Sequence, residues 1–104
     1  MNELRDLLGR LSDEFGPSGN ERAVRALIRS EIEAHVDTIE VDAMGNLITT
    51  KRGTGDEPRL RVMFSAHMDE VSFMVAEVAK SGVINFTGRG VDKRLLPGKL
   101  RGPR

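Results

Sequence analysis

Apolar residues recur along the first third of the chain with a helical period. Leu4, Leu7, Leu8, Leu11 and Phe15 fall at i, i+3, i+4, i+7 and i+11, which predicts one apolar stripe on a helix of about 14 residues. Gly16-Pro17 ends it, because proline disfavours helical dihedrals in the residue before it. Ser18-Gly19-Asn20-Glu21 then fits a capping box, with hydroxyl and carboxylate satisfying orphan amides reciprocally. The helix that follows carries Val24, Leu27, Ile28, Ile32 and Val36 on one face. Arg22, Arg25, Arg29, Glu31 and Glu33 lie mostly off that face and read as solvated charges.

From Thr38 the period changes to two. Residues 38–42 alternate, with Ile39 and Val41 on one side, and residues 47–51 form a second strand. Ala43-Met44-Gly45-Asn46 between them is a turn, with Gly45-Asn46 able to take positive φ. Residues 53–58, rich in glycine and closed by Pro58, are a loop. Residues 60–66 begin with charged alternation and end apolar, which predicts a buried strand. Residues 71–78 are another strand, turned by Ser81-Gly82 into residues 83–87. Residues 88–104 hold four glycines and two prolines and show no clear strand or helix pattern. Two helices followed by strands predict an α/β or α+β domain. Nothing apolar and periodic follows to cover the last strands, so the chain is expected to be a piece of something larger.

Composition narrows the function classes. Sixteen Lys+Arg balance 16 Asp+Glu, so there is no electrostatic footprint for nucleic acid or an anionic membrane. The absence of cysteine excludes a disulfide framework, a thiolate zinc site and a Cys nucleophile. No apolar run approaches a membrane span, and Met1-Asn2-Glu3 opens no signal peptide. A cytoplasmic location is the expectation.

The candidate chemistry lies in Ser65-Ala66-His67-Met68-Asp69-Glu70, at the end of the apolar run where open α/β sheets gather ligand groups. In extended backbone His67 and Asp69 point to the same side. A carboxylate beside a histidine can accept one ring N–H and sharpen the other nitrogen as a metal ligand. The pattern is half a site, since a catalytic zinc wants three protein ligands and a two-metal centre more. It also fits a strand-end histidine bonded to its neighbour for local reasons alone. His35, near the end of the second helix, favours the helix dipole and faces water. Gly88-Arg89-Gly90 lacks the spacing of a phosphate loop. Ser65, Ser72 and Ser81 lack a nucleophile-elbow context. The scattered methionines and phenylalanines read as packing.

Several runs together resemble a known family. Phe15-Gly16-Pro17-Ser18-Gly19 with Glu21, then Val41-Asp42-Ala43-Met44-Gly45-Asn46-Leu47, then Ala66-His67-Met68-Asp69-Glu70-Val71 resemble the start of the tetrahedral metallo-aminopeptidases. That family is also labelled glutamyl or deblocking aminopeptidase, or endoglucanase/cellulase M. Gly90, Asp92, Arg94, Leu96 and Gly98 resemble the loop after its His-x-Asp strand. The resemblance implies an α/β catalytic domain over residues 1–72, and over 73–104 the opening of an inserted PDZ-like β domain. It implies two divalent ions (zinc or cobalt), peptide substrates, a cytoplasmic location and a homo-oligomer of the dodecamer type. It makes His67 a metal ligand, and Asp69 the carboxylate that orients it and supports catalysis. The family's other site residues have no counterpart in these 104 residues, so the chain alone is expected to be inactive.

Arg89 stands where the family usually has a second glycine, and Lys93 where proline is common; residues 99–104 do not continue as its strand. Two other functions are weighed. A non-catalytic binding or assembly module fits the balanced charge and an unfinished sheet edge. A glycanase follows from the family label alone: there is no Trp or Tyr to stack on sugar and no recognisable carboxylate pair at glycosidase separation.

Overall fold

A computed structural model describes residues 2–90. Helix α1 spans Asn2–Asp13 and α2 spans Arg22–Ile32, extended by a 3-10 turn at Glu33–His35. Strands β1 (Thr38–Val41) and β2 (Leu47–Thr50) pair antiparallel, from Thr38 opposite Thr50 to Val41 opposite Leu47. Strands β3 (Ser72–Val78) and β4 (Ile84–Arg89) form a second, separate antiparallel pair.

The β1–β2 hairpin is set by its turn. Asp42 Oδ1 accepts the backbone N–H groups of Met44 and Asn46 at 2.9 Å each, and Oδ2 accepts the Asn46 amide at 2.7 Å. These contacts are the local Asx chemistry that makes aspartate a turn former. Gly45 supplies the left-handed residue at φ +87°, and no residue other than glycine takes positive φ among the described residues. Arg25 of α2 donates to Gly45 O at 2.9 Å, so it ties the hairpin to the helix instead of standing as a solvated charge. Arg10 of α1 pairs with Glu31 of α2 at 2.7 Å. In the second hairpin the Phe73 and Phe86 rings meet edge to face at 4.9 Å.

The apolar faces are largely open. Val24 is the one buried apolar side chain among the described residues, at 4% exposure. The radius of gyration is 19.1 Å, against about 13 Å for a compact chain of about 100 residues.

Several expectations need correction. Helix α1 ends at Asp13, two residues before Phe15, which is exposed. The predicted buried strand at 60–66 has no ladder, and Leu60 and Phe64 are 89% and 94% exposed. A central strand draws its hydrogen bonds and cover from neighbours, and no strand lies beside this run among the described residues. The capping box does not form: Glu21 occupies the N-cap position of α2 without a side-chain capping bond. Its carboxylate accepts the Gly19 N–H at 2.7 Å, and the Ser18 hydroxyl goes elsewhere. Strand β4 runs to Arg89, past the expected end at Thr87. The expectations placed on Asp92, Lys93, Arg94, Leu96, Gly98 and residues 99–104 lie outside the described residues. No described helix is long and apolar enough to cross a membrane.

Candidate metal-ligand site

The α1–α2 connection and the run 67–70 come together although more than 50 residues separate them. Glu70 N–H donates to Gly16 O at 2.8 Å, and the Gly16 N–H points at Glu70 Oε1 at 3.4 Å. Pro17 and Glu70 form an isolated parallel bridge. Gly16 is buried here, and a side chain on it would meet Val24 Cγ1 at 3.0 Å and Met68 O at 3.3 Å. The glycine is therefore favoured by the close approach of the Val24 side chain and the Met68 carbonyl, over and above ending a helix.

This contact delivers Ser18 to Asp69. The Ser18 hydroxyl donates to Asp69 Oδ2. The other carboxylate oxygen, Oδ1, lies 3.1 Å from His67 Nδ1, and Asp69 O lies 2.9 Å from the same nitrogen. Both partners of Nδ1 are acceptors, so Nδ1 carries the proton and donates. That leaves the lone pair on Nε2, on a ring that is 86% exposed, beside a carboxylate that is 41% exposed. The Ser18 hydroxyl, foremost, holds the Asp69 carboxyl below the usual 3.8; desolvation opposes it, and the His67 hydrogen bond adds a smaller lowering effect.

A cleft of about 520 Å³ opens at this point, between the apolar flanks Leu8, Leu11 and Ile28 and the polar edge Glu14, His67 and Asp69. The sequence-predicted pair, His67 and Asp69, is thus brought together directly. His35 ends the 3-10 turn, exposed to water as expected. Sequence reasoning missed Gly16 and Ser18 as supports of the pair; the run Gly16-Pro17-Ser18 quoted for the family resemblance was the available signal.

The donor chemistry fits one corner of a metal centre. A neutral imidazole with its Nδ1–H held by a carboxylate is the usual form of a histidine ligand. A closed site is not present: no group of three or more His, Asp or Glu is arranged to hold an ion among the described residues.

The chain as a whole is similar to known proteins. Residues 45–100 match the family described as M42 glutamyl aminopeptidase. A relative from Acetivibrio thermocellus is 40% identical over 88 residues, covering 85% of this chain and 26% of that protein. The glutamyl aminopeptidase of Lactococcus lactis is 32% identical, over 85% of this chain and 24% of its own length. Among solved structures, the TET aminopeptidase of a marine sediment Thaumarchaeota archaeon superposes with a TM-score of 0.73 at 32% identity. That match covers 84% of this chain and 23% of the neighbour. A Thermotoga maritima protein named endoglucanase superposes with a TM-score of 0.70 at 48% identity, over 86% of this chain and 29% of its own. The chain thus spans about a quarter of the length of the relatives it matches. With a family match over more than half its residues, and helices and strands that follow a TET aminopeptidase, the chain belongs to the M42 glutamyl aminopeptidase family.

Proposed function

We propose that this chain carries part of the active site of a metal-dependent aminopeptidase that removes N-terminal residues from peptides. The observation that carries it is the contact chain from Ser18 through Asp69 to His67, which engages Nδ1 and lies where His67 and Asp69 line a cleft. In this reading His67 Nε2 is one ligand of a divalent ion, zinc or cobalt, in a centre of two. Asp69 orients the ring and supports catalysis. A divalent ion there supplies Lewis acidity toward the scissile carbonyl and an activated water. The residues of this chain hold the imidazole tautomer and keep the carboxylate ionised, and the apolar flank of the cleft offers a wall to substrate. The 104 residues by themselves present one imidazole corner, and we expect no turnover from them alone.

The organisation proposed with it assigns residues 1–72 to the α/β catalytic domain and 73–104 to an inserted PDZ-like β domain. The separation of the β3–β4 pair from β1–β2 supports that division. Exposed Phe73, Val75, Val78 and Ile84 on that hairpin support homo-oligomeric assembly of the dodecamer type. Balanced charge and the lack of cysteine support a cytoplasmic enzyme with neither nucleic acid nor membrane as partner.

A graft tests the activity. Residues 2–90 replace the matching segment of the archaeal TET aminopeptidase, and the hybrid is assayed with cobalt or zinc on aminoacyl anilides and on soluble cellulose. Cleavage of the anilides is expected, with His67→Ala lowering turnover by about 100-fold or more, the upper range for even a second-layer metal partner. A His67→Ala hybrid as active as its parent refutes the ligand role. Cleavage of cellulose in place of anilide supports the glycanase suggested by the Thermotoga neighbour's name. A specific metal-free oligomer of the chain, with an inactive hybrid, supports the assembly module.

A further inference from the structure

We infer that Ser18 is a positioning residue of this site: its hydroxyl fixes the Asp69 carboxylate so that His67 keeps its proton on Nδ1 and presents Nε2. The inference rests on the proposed ligand role of His67. A serine three residues before an acidic one at a helix start would ordinarily cap that helix. Here the α2 N-cap carries no side-chain bond, and the hydroxyl reaches across 51 residues of sequence to Asp69 Oδ2.

Its placement is dictated by the loop. The Glu70 N–H bond to Gly16 O and the parallel bridge at Pro17 anchor the backbone on the near side of Ser18. At Gly16 a side chain would meet Val24 and Met68 O, so the loop sits close against both. Each Asp69 oxygen then has its own donor, Oδ2 the serine and Oδ1 the imidazole. The terminal torsion of aspartate is broad and two-fold, and this carboxylate is partly open to water. Without the serine it can rotate, and Oδ1 then spends part of its time away from Nδ1, which leaves the uncharged Asp69 O at 2.9 Å as the remaining acceptor of that proton. Nothing else among the described residues bonds Oδ2. A serine that merely stapled the loop would leave the imidazole tautomer unchanged, because the Gly16–Glu70 contacts staple it already.

The test is the His67 tautomer in the 104-residue protein, read from long-range ¹⁵N–¹H correlations of its ring at about pH 8, where imidazoles are ordinarily neutral. The wild type is expected to be mostly Nδ1–H. Ser18→Ala should shift the ratio toward Nε2–H by about threefold or more, the scale of part of a hydrogen bond to a charged group. The amide spectrum of α2 and of the β1–β2 hairpin should stay in place. Ser18→Thr should restore the wild-type ratio. Ser18→Cys, of similar volume and a weak donor, should shift it as alanine does, and decides the matter if the alanine variant loses its folded spectrum. A wild type that is mostly Nε2–H, or a ratio unmoved in the folded variants, overturns the inference. An unmoved ratio together with loss of hybrid activity in His67→Ala removes the serine's role and leaves the aminopeptidase. A moved ratio together with full activity of His67→Ala keeps the serine's hold on the imidazole and removes the ligand role of His67.

Discussion

Gly16→Ala measures how tightly the α1–α2 connection grips the site. The added methyl would sit 3.0 Å from Val24 Cγ1, 3.3 Å from Met68 O and 3.4 Å from Val24 Cβ. Neither neighbour yields easily, since Val24 is β-branched and stiff at χ1 and is the one buried apolar side chain of the described residues. Met68 O is backbone, within the run that carries His67 and Asp69. Overpacking of this kind costs about 1–3 kcal/mol, and the reduced freedom of the unfolded alanine chain returns about 0.4–1 kcal/mol. A net destabilisation of about 1–2 kcal/mol corresponds to a factor of about 5–30 in the open population. The readout is hydrogen exchange at the Glu70 amide, whose N–H is bonded to Gly16 O at 2.8 Å and so reports every opening that breaks this contact. Exchange there should quicken by that factor in Gly16→Ala. Gly53→Ala, with nothing within 4 Å of the new methyl, should leave it unchanged. Glu70 exchange in Gly16→Ala that equals the wild type, or is slower, refutes the close-approach account of this glycine.

Three further outcomes follow from the same geometry. The Asn46 side chain, first, and backbone N–H groups hold the Asp42 carboxyl below its usual 3.8. A depressed folded value stabilises above the unfolded value and is lost as pH falls through the folded one, so the β1–β2 amide signals should weaken on acidification below 3.8. Asp42→Asn should flatten that response, and an identical acid profile for the two proteins would count against it. Arg25→Met removes the 2.9 Å bond to Gly45 O; at about 1 kcal/mol for one net hydrogen bond, it should loosen the hairpin's orientation to α2, read from residual dipolar couplings. Couplings unchanged from the wild type would show that the bond carries no orientation. Arg10→Ala breaks a pair whose side chains are 55% and 34% exposed, so the urea midpoint should move by no more than about 1 kcal/mol allows; a larger shift would mean a network rather than a surface pair.

What could be read from sequence was what neighbours in sequence decide. The β1–β2 turn was legible because Asp42, Met44, Gly45 and Asn46 satisfy one another within five positions. The His67–Asp69 contact was legible for the same reason: a period of two sets i and i+2 on one side whatever surrounds them, and Oδ1 lies 3.1 Å from Nδ1. The run 60–66 failed because an apolar stretch states that it wants cover without stating which strand supplies it. Its exposed Leu60, Met63 and Phe64 belong to a pattern whose partners do not occur among the described residues. Ser18 failed for the opposite reason. Locally it had an adequate partner, the amides of α2, and a capping bond is worth about 1 kcal/mol. It is outcompeted by a carboxylate 51 residues away, because a hydrogen bond to a charged acceptor is worth roughly twice a neutral one. The loop at Gly16 and Pro17 has already met the entropic cost of bringing the two together. Side chains that abandon a good local partner for a distant charge are therefore the places to look for a site, and here both of Asp69's oxygens are reached in that way or by its adjoining histidine.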